Sequence, residues 1–334
     1  MPATTPQFAE ADRAHTPNLP ASILDTIGRT RLLPLRHIVP KGSARILLKL
    51  EYENPTGSMK DRMALAMIES AQADGRLPGA GARPGAGGTV VEYTGGSTGV
   101  SLAFICAAKR IGLHIVTSDA FSKEKRDHMK ALGAQLTIIP SPTGGTTKAL
   151  TLEMIDTATR LAANSGGYLT DQLKNKDVLP AYERMADEIW AQSGARVDAF
   201  VQSVGTCGSL RGVSTRLRAL NDAIHVVAVE PAESPVLSGG ATGTHRIEGV
   251  GPGFIMPLWQ DGLADEIQLV SSDEAMATAR QLAREEGIFA GTSTGANVAA
   301  ALRIAARLGP DATVVTVAVD SGMKYLSTGL YGGG

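Results

Sequence analysis

The sequence predicts an α/β protein with mostly parallel sheets. Three observations carry this: short β-branched runs alternate with longer stretches whose apolar residues recur every three or four positions, glycine-rich turns separate several of these pairs, and 334 residues suffice for two packed domains. The strand candidates lie at 45–50, 89–91, 114–116, 135–139, 199–204, 225–229 and 313–317. The helical pattern occupies 61–74, 100–111, 123–132, 146–164, 273–286 and 296–308.

Composition narrows the partners. Lys plus Arg (32) nearly balance Asp plus Glu (33), so electrostatics gives no reason to expect nucleic acid or an anionic membrane, and a small-molecule ligand is the better expectation. Two cysteines, Cys106 and Cys207, are too few for a disulfide framework and fit a reducing cytosol. Residues 1–18 mix Pro, Thr and both charge signs without the apolar run of a signal peptide and read as a flexible arm. No window reaches the roughly 18 uninterrupted apolar residues of a spanning helix, so a soluble, cytoplasmic protein is expected. The segment 78–88 (PGAGARPGAGG) reads as a surface connection and 332–334 as a frayed end. The six histidines show no ligand spacing, and neither metal nor haem is expected.

Four loops carry the candidate chemistry. In Asn54-Pro55-Thr56-Gly57-Ser58-Met59-Lys60-Asp61-Arg62, a lysine stands where a helical pattern begins. The positive end of a helix macrodipole lowers an ammonium's pKa and favours a neutral amine able to attack an aldehyde. The alternative is a solvated first-turn lysine paired with Asp61. Thr94-Gly95-Gly96-Ser97-Thr98-Gly99 sits between a strand and a helix, where free backbone N–H groups can receive a carboxylate or phosphate, or simply make a tight turn. Gly205-Thr206-Cys207-Gly208-Ser209 repeats that arrangement ahead of a helix starting near Leu210, with glycines permitting close approach and Thr206 and Ser209 offering hydroxyls. In Gly291-Thr292-Ser293-Thr294-Gly295, Ser293 is either a hydrogen-bond partner for a ring nitrogen or an N-cap.

In this order the four loops resemble the cysteine synthase and cystathionine β-synthase group of fold-type II pyridoxal-phosphate (PLP) enzymes, built like the tryptophan synthase β-chain. The resemblance extends from Ile23-Leu24-Asp25-Thr26-Ile27-Gly28-Arg29-Thr30 through Val227-Ala228-Val229-Glu230-Pro231 and Gly249-Val250-Gly251-Pro252-Gly253-Phe254 to Asp320-Ser321-Gly322-Met323-Lys324-Tyr325-Leu326-Ser327-Thr328. It implies two three-layer α/β/α domains with PLP in the cleft between them. The larger, PLP-binding one would comprise 19–54 and 176–334, and the smaller, carrying the lysine and the substrate loop, 55–175. It further implies that Lys60 carries PLP as a Schiff base and removes the substrate Cα proton. Gly205, Thr206, Cys207, Gly208 and Ser209 would hold the phosphate, Ser293 would face the pyridine nitrogen and Ser97 the phenolic oxygen. Thr94, Gly95, Gly96 and Thr98, with Gln172, would take the substrate carboxylate. The implied reaction is β-replacement on an O-activated L-serine through an aminoacrylate, with sulfide or another nucleophile, in a homodimer.

The chain departs from the family pattern at identifiable places. The family reads Thr-Ser-Gly-Asn-Thr-Gly where this chain has Gly95 and Ser97, which predicts extra room beside the substrate and a shorter reach to the phenolic oxygen. Tyr93 and Lys176 replace prolines, and Cys207 replaces a glycine and reads as a small packed side chain. Two alternatives stand beside the main reading: dehydratase- or threonine synthase-like elimination, and a PLP-binding regulatory protein with little turnover.

Overall fold

The computed structural model describes residues 20–79, 88–142, 144–145 and 147–332. The arm predicted over 1–18, residues 80–87 of the glycine-rich connection and the last two glycines lie outside the described residues. Among the described residues, ten strands run in chain order as β1 (Leu32–Pro34), β2 (Arg45–Leu50), β3 (Thr89–Tyr93), β4 (Gly112–Ser118), β5 (Gln135–Ile139), β6 (Tyr168–Leu169), β7 (Ala199–Ser203), β8 (His225–Pro231), β9 (Glu266–Val270) and β10 (Thr313–Ala318). The helices are α1 (Lys60–Ala73), α2 (Ser97–Lys109), α3 (Lys123–Ala131), α4 (Lys148–Ser165), α5 (Leu179–Gln192), α6 (Gly208–Leu220), α7 (Ser272–Gln281) and α8 (Thr292–Leu308).

The strands form two sheets. One has the order β1-β2-β10-β7-β8-β9, parallel except where β1 pairs antiparallel with β2. The other has the order β5-β4-β3-β6 and is parallel throughout. Central strands β7 and β10 are buried at every residue, as expected for parallel strands covered on both faces, and apolar residues predominate in them, interrupted only by Gln202 and Ser203 in β7 and Thr313 and Thr316 in β10. The α/β architecture with mostly parallel sheets is therefore as predicted.

The differences from the sequence reading have local causes. β1 and β6 have only three and two residues, and the edge strand β9 is broken by Glu266 and Gln268, so none presents an apolar run of strand length. Helix α2 starts at Ser97 rather than 100, which puts Ser97 and Thr98 in its first turn. The predicted helix 273–286 splits into α7 and a π-helical turn, Leu282–Glu286, ended by Gly287 at φ +68°. The Glu286 carboxylate there accepts the amides of Arg36, His37 and Ile38, tying that turn to the β1–β2 connection.

Parallel strands gather their carboxyl ends on one side of a sheet, and ligands bind in the crevice outside those ends. Here β3 leads into Thr94, β4 into Phe121, β6 into Gln172, β7 into Gly205 and β10 into Asp320, and all five residues line one cavity.

Candidate active site

The cavity holds about 370 Å³ and takes its walls from both sheets. It brings together Lys60, Thr94, Gly95, Gly96, Ser97, Thr98, Gln172, Gly205, Thr206, Ser209 and Ser293. Cys207 and Gly208 do not line it.

Lys60 is the first residue of α1, preceded by Met59 with no side-chain cap. The turn leading to it is closed by Asp61, whose carboxylate accepts the Thr56 amide at 2.8 Å and the Thr56 hydroxyl at 2.6 Å. Asp61 is thus spent on the loop, and the alternative of a Lys60–Asp61 pair is excluded. Burial pushes the Lys60 amine down to about 8; the Asp320 carboxylate opposes that shift, and Lys324 and Lys125 add to it. Two residues on from Lys60, Arg62 forks onto Glu51 (2.7 and 2.8 Å) and onto Glu188 (2.7 Å at each oxygen), and Glu188 also receives Lys49 at 2.7 Å. This buried network fixes the start of α1 against β2 and α5, so the lysine stands on a rigid base.

The Thr94–Thr98 turn is braced from below and above. Beneath it, the buried Glu92 carboxyl, pushed up to about 8 by burial, accepts the Tyr93 and Gln172 amides and the Thr170 hydroxyl. Gln172 accepts from the Thr98 hydroxyl at 2.8 Å and donates to the Tyr93 carbonyl at 2.9 Å, which locks its amide in one orientation. Above the turn, the predicted spare room at Gly95 does not exist. A Cβ there would lie 2.6 Å from Cζ and 2.9 Å from Cδ1 of Phe121, so the aromatic ring fills the space a serine side chain would need. Gly96 is covered likewise by Lys125, whose Cδ would be 2.5 Å from an added Cβ. The Ser97 hydroxyl donates to Asp320 Oδ2 at 3.0 Å, so its proton is committed within the protein.

The Gly205–Ser209 segment crosses the N-terminus of α6, and its five amides find no acceptor among the described residues. An added Cβ on Gly205 would run into the Gly249 carbonyl oxygen, so only glycine brings the backbone this close to the facing loop. Ser209 accepts from Gln202 at 2.6 Å and keeps its own proton available. Cys207 is 2% exposed at φ +72°, with its thiol pushed up to about 12 by burial. It is a packed, inert thiol, as the sequence suggested. Free amides at a helix N-terminus form a cradle for a phosphate.

Ser293 is not an N-cap: Gly291 holds that position, and Ser293 is the second residue of α8. Its neighbours are occupied, Thr292 accepting from the Glu248 amide and Thr294 from the Val319 amide, while Ser293 lines the cavity.

Several cavity residues received no role from the sequence. Asp320, 2% exposed, accepts from Ser97 and from the Tyr325 hydroxyl (2.8 Å), and its Oδ1 has no partner among the described residues. Lys125 pairs with Glu248 at 2.6 Å and lies 4.3 Å from the Tyr325 ring centroid. The segment from Asp320 to Thr328 was legible as a family motif, which was the available signal for Asp320; Phe121 and Lys125 left none, because their importance is steric and lies across the fold.

Comparison with known proteins agrees with this geometry. The family model described as "Pyridoxal-phosphate dependent enzyme" matches residues 23–320. A cysteine synthase of Staphylococcus aureus is 41% identical over 312 residues, 93% of this chain and 96% of that one. Among solved structures, an O-ureido-L-serine synthase superposes with a TM-score of 0.85 at 36% identity, covering 94% of this chain and 96% of that one. A cysteine synthase from Entamoeba histolytica gives 0.84 at 34% identity, covering 99% and 94%. With Lys60, Gly205, Thr206 and Ser209 lining one cavity and these relatives, the chain belongs to the pyridoxal-phosphate dependent enzymes, in the cysteine synthase group.

Proposed function

We propose that the protein catalyses β-replacement on an O-activated L-serine, exchanging the group on the β-carbon for a nucleophile such as sulfide. The observation that carries this is the cavity itself, whose lining brings together an amine of lowered pKa, the Gly205, Thr206 and Ser209 turn, a locked glutamine and the Ser293 hydroxyl. The residues present fit pyridoxal phosphate. The unpaired amides from Gly205 to Ser209 would hold its phosphate, Lys60 would hold it covalently and Ser293 would meet its ring nitrogen. Bound there, the cofactor supplies an electron sink for the pair left when the substrate Cα proton departs.

The chain's own groups do the rest. Lys60 Nζ, whose ammonium form is disfavoured by burial in the cofactor-free protein, would take the Cα proton and return it. The Thr94–Thr98 turn and Gln172 orient the substrate carboxylate. A serine hydroxyl at Ser293 stabilises ring protonation less than a carboxylate would, which favours loss of the β-substituent over a long-lived carbanion.

In this reading 19–54 with 176–334 form the larger unit and 55–175 the smaller, in agreement with the membership of the two sheets. Among the described residues no helix is long and apolar enough to cross a membrane, and the proposal places the protein in the cytoplasm as a homodimer. Light scattering after gel filtration tests the dimer.

The decisive assay supplies O-acetyl-L-serine and sulfide and follows cysteine by mass spectrometry, with visible absorbance reporting the cofactor. Wild type is expected to be yellow and to form cysteine; Lys60→Ala is expected to do neither. Pyruvate as the sole product across a panel of nucleophiles would instead identify an eliminating enzyme.

A further inference from the structure

We propose that Phe121 determines specificity for the second substrate: its ring fills the space beside Gly95 and, with Met154 and Leu173, forms an apolar wall that selects a thiol bearing an apolar group over hydrosulfide. This rests on the β-replacement reading and names the nucleophile class.

The three side chains come from separate elements, Phe121 from the turn after β4, Met154 from α4 and Leu173 from the segment after β6, and all line the cavity. Met154 and Leu173 are 3% and 8% exposed, so they are fixed by the core behind them. Phe121 cannot retreat from the substrate loop without opening a void over Gly95, and a serine at 95 cannot be added without displacing the ring. Gly95 and Phe121 are therefore one structural unit.

The wall acts on the two nucleophiles in opposite directions. Hydrosulfide is a hydrated anion, and an aromatic ring, a thioether and an isobutyl group return none of the hydrogen bonds it loses on approach. A thiol with an apolar substituent gains by burying that substituent against the same surface, about tenfold in affinity for roughly 60 Å² removed from water. In the reaction the thiol sulfur bonds to the serine β-carbon and the Cβ–O bond breaks. The leaving group departs with that electron pair, and the thiol proton passes to solvent.

The test measures kcat/KM for benzyl mercaptan and for sulfide, with O-acetyl-L-serine as the first substrate, in wild type, Phe121→Ala and Phe121→Leu. Wild type is expected to favour benzyl mercaptan. In Phe121→Ala the mercaptan-to-sulfide ratio should fall about tenfold, and in Phe121→Leu by less, with the cofactor absorbance unchanged. If Phe121→Ala does not fold, the wild-type ratio and Phe121→Leu decide. A wild type that favours sulfide, or a ratio that does not respond to Phe121, overturns the specificity proposal and leaves β-replacement standing. No product from either nucleophile overturns β-replacement and this proposal with it.

Discussion

Lys60 in the cofactor-free protein is predicted to titrate with a midpoint near pH 8 instead of the ordinary lysine value of 10.5, because burial penalises its ammonium form. At about pH 7.5 roughly one amine in four is then neutral, against about one in a thousand for an ordinary lysine, a gain of about 200-fold in the nucleophilic form. The charges around it set the direction of each perturbation. Asp320 holds the value up, so Asp320→Asn should lower the midpoint further; Lys324 and Lys125 hold it down, so Lys324→Met should raise it. Competitive acetylation from about pH 6 to about pH 11, read at Lys60 by mass spectrometry, measures the midpoint directly. A midpoint near that of exposed lysines, or both variants moving it in one direction, would refute the electrostatic account. Linkage gives an independent check. A lysine with a depressed folded-state value costs stability while it is protonated, so this group's contribution to cofactor-free stability should improve as pH rises from 8 toward 10.5.

Glu92 carries the opposite sign. Its value is raised from 4.5 to about 8, so its contribution to stability is full below pH 4.5 and is lost as pH rises through 8; Glu92→Gln should flatten that part of the denaturation-against-pH curve. Arg62→Ala strands Glu51 and leaves Glu188 with one cation fewer, and is expected to cost about 3–5 kcal/mol in urea unfolding, whereas an exposed pair such as Arg160–Asp156 should be worth under about 1 kcal/mol. Gly95→Ser, which restores the family residue, should destabilise by about 1–3 kcal/mol through the clash with Phe121, and adding Phe121→Ala should recover part of the loss in thermal melting. Cys207→Gly relieves a left-handed residue worth about 1–2 kcal/mol but loses packing and gains unfolded-state entropy, so its net effect should stay within about 1 kcal/mol; Cys207→Val should cost more than about 2 kcal/mol.

Among the described residues, seven of the ten strands were legible as apolar or β-branched runs: six are interior, and β5 is an edge strand that still carries Leu136, Ile138 and Ile139. The three that escaped, β1, β6 and β9, are short or lie at sheet edges, where solvent permits Pro34, Tyr168 and Glu266. The site divides in the same way. Lys60, Gly205 and Ser293 announced themselves because a reactive amine, a close-approaching backbone and a hydroxyl at a helix start each need a particular residue type in a particular local context. Gly95 was misread as empty space because a missing side chain says nothing about which neighbour takes its volume. Ser97 was read for its length, while its partner Asp320 lies 223 residues away along the chain.

The sequence by itself determined the alternation that makes parallel sheets, the turns that place free amides and an amine at helix starts, and through their order the family of the chain. These are local properties, set by dihedral preference, periodicity and the chemistry of single side chains. Only the tertiary structure decided that Asp61 closes a loop instead of pairing with Lys60, that Phe121 occupies the room beside Gly95 and that Asp320 accepts the hydrogen bond of the Ser97 hydroxyl. Each of those depends on which volumes and charges the fold brings within a few ångströms, and packing of distant segments is not written in any one of them.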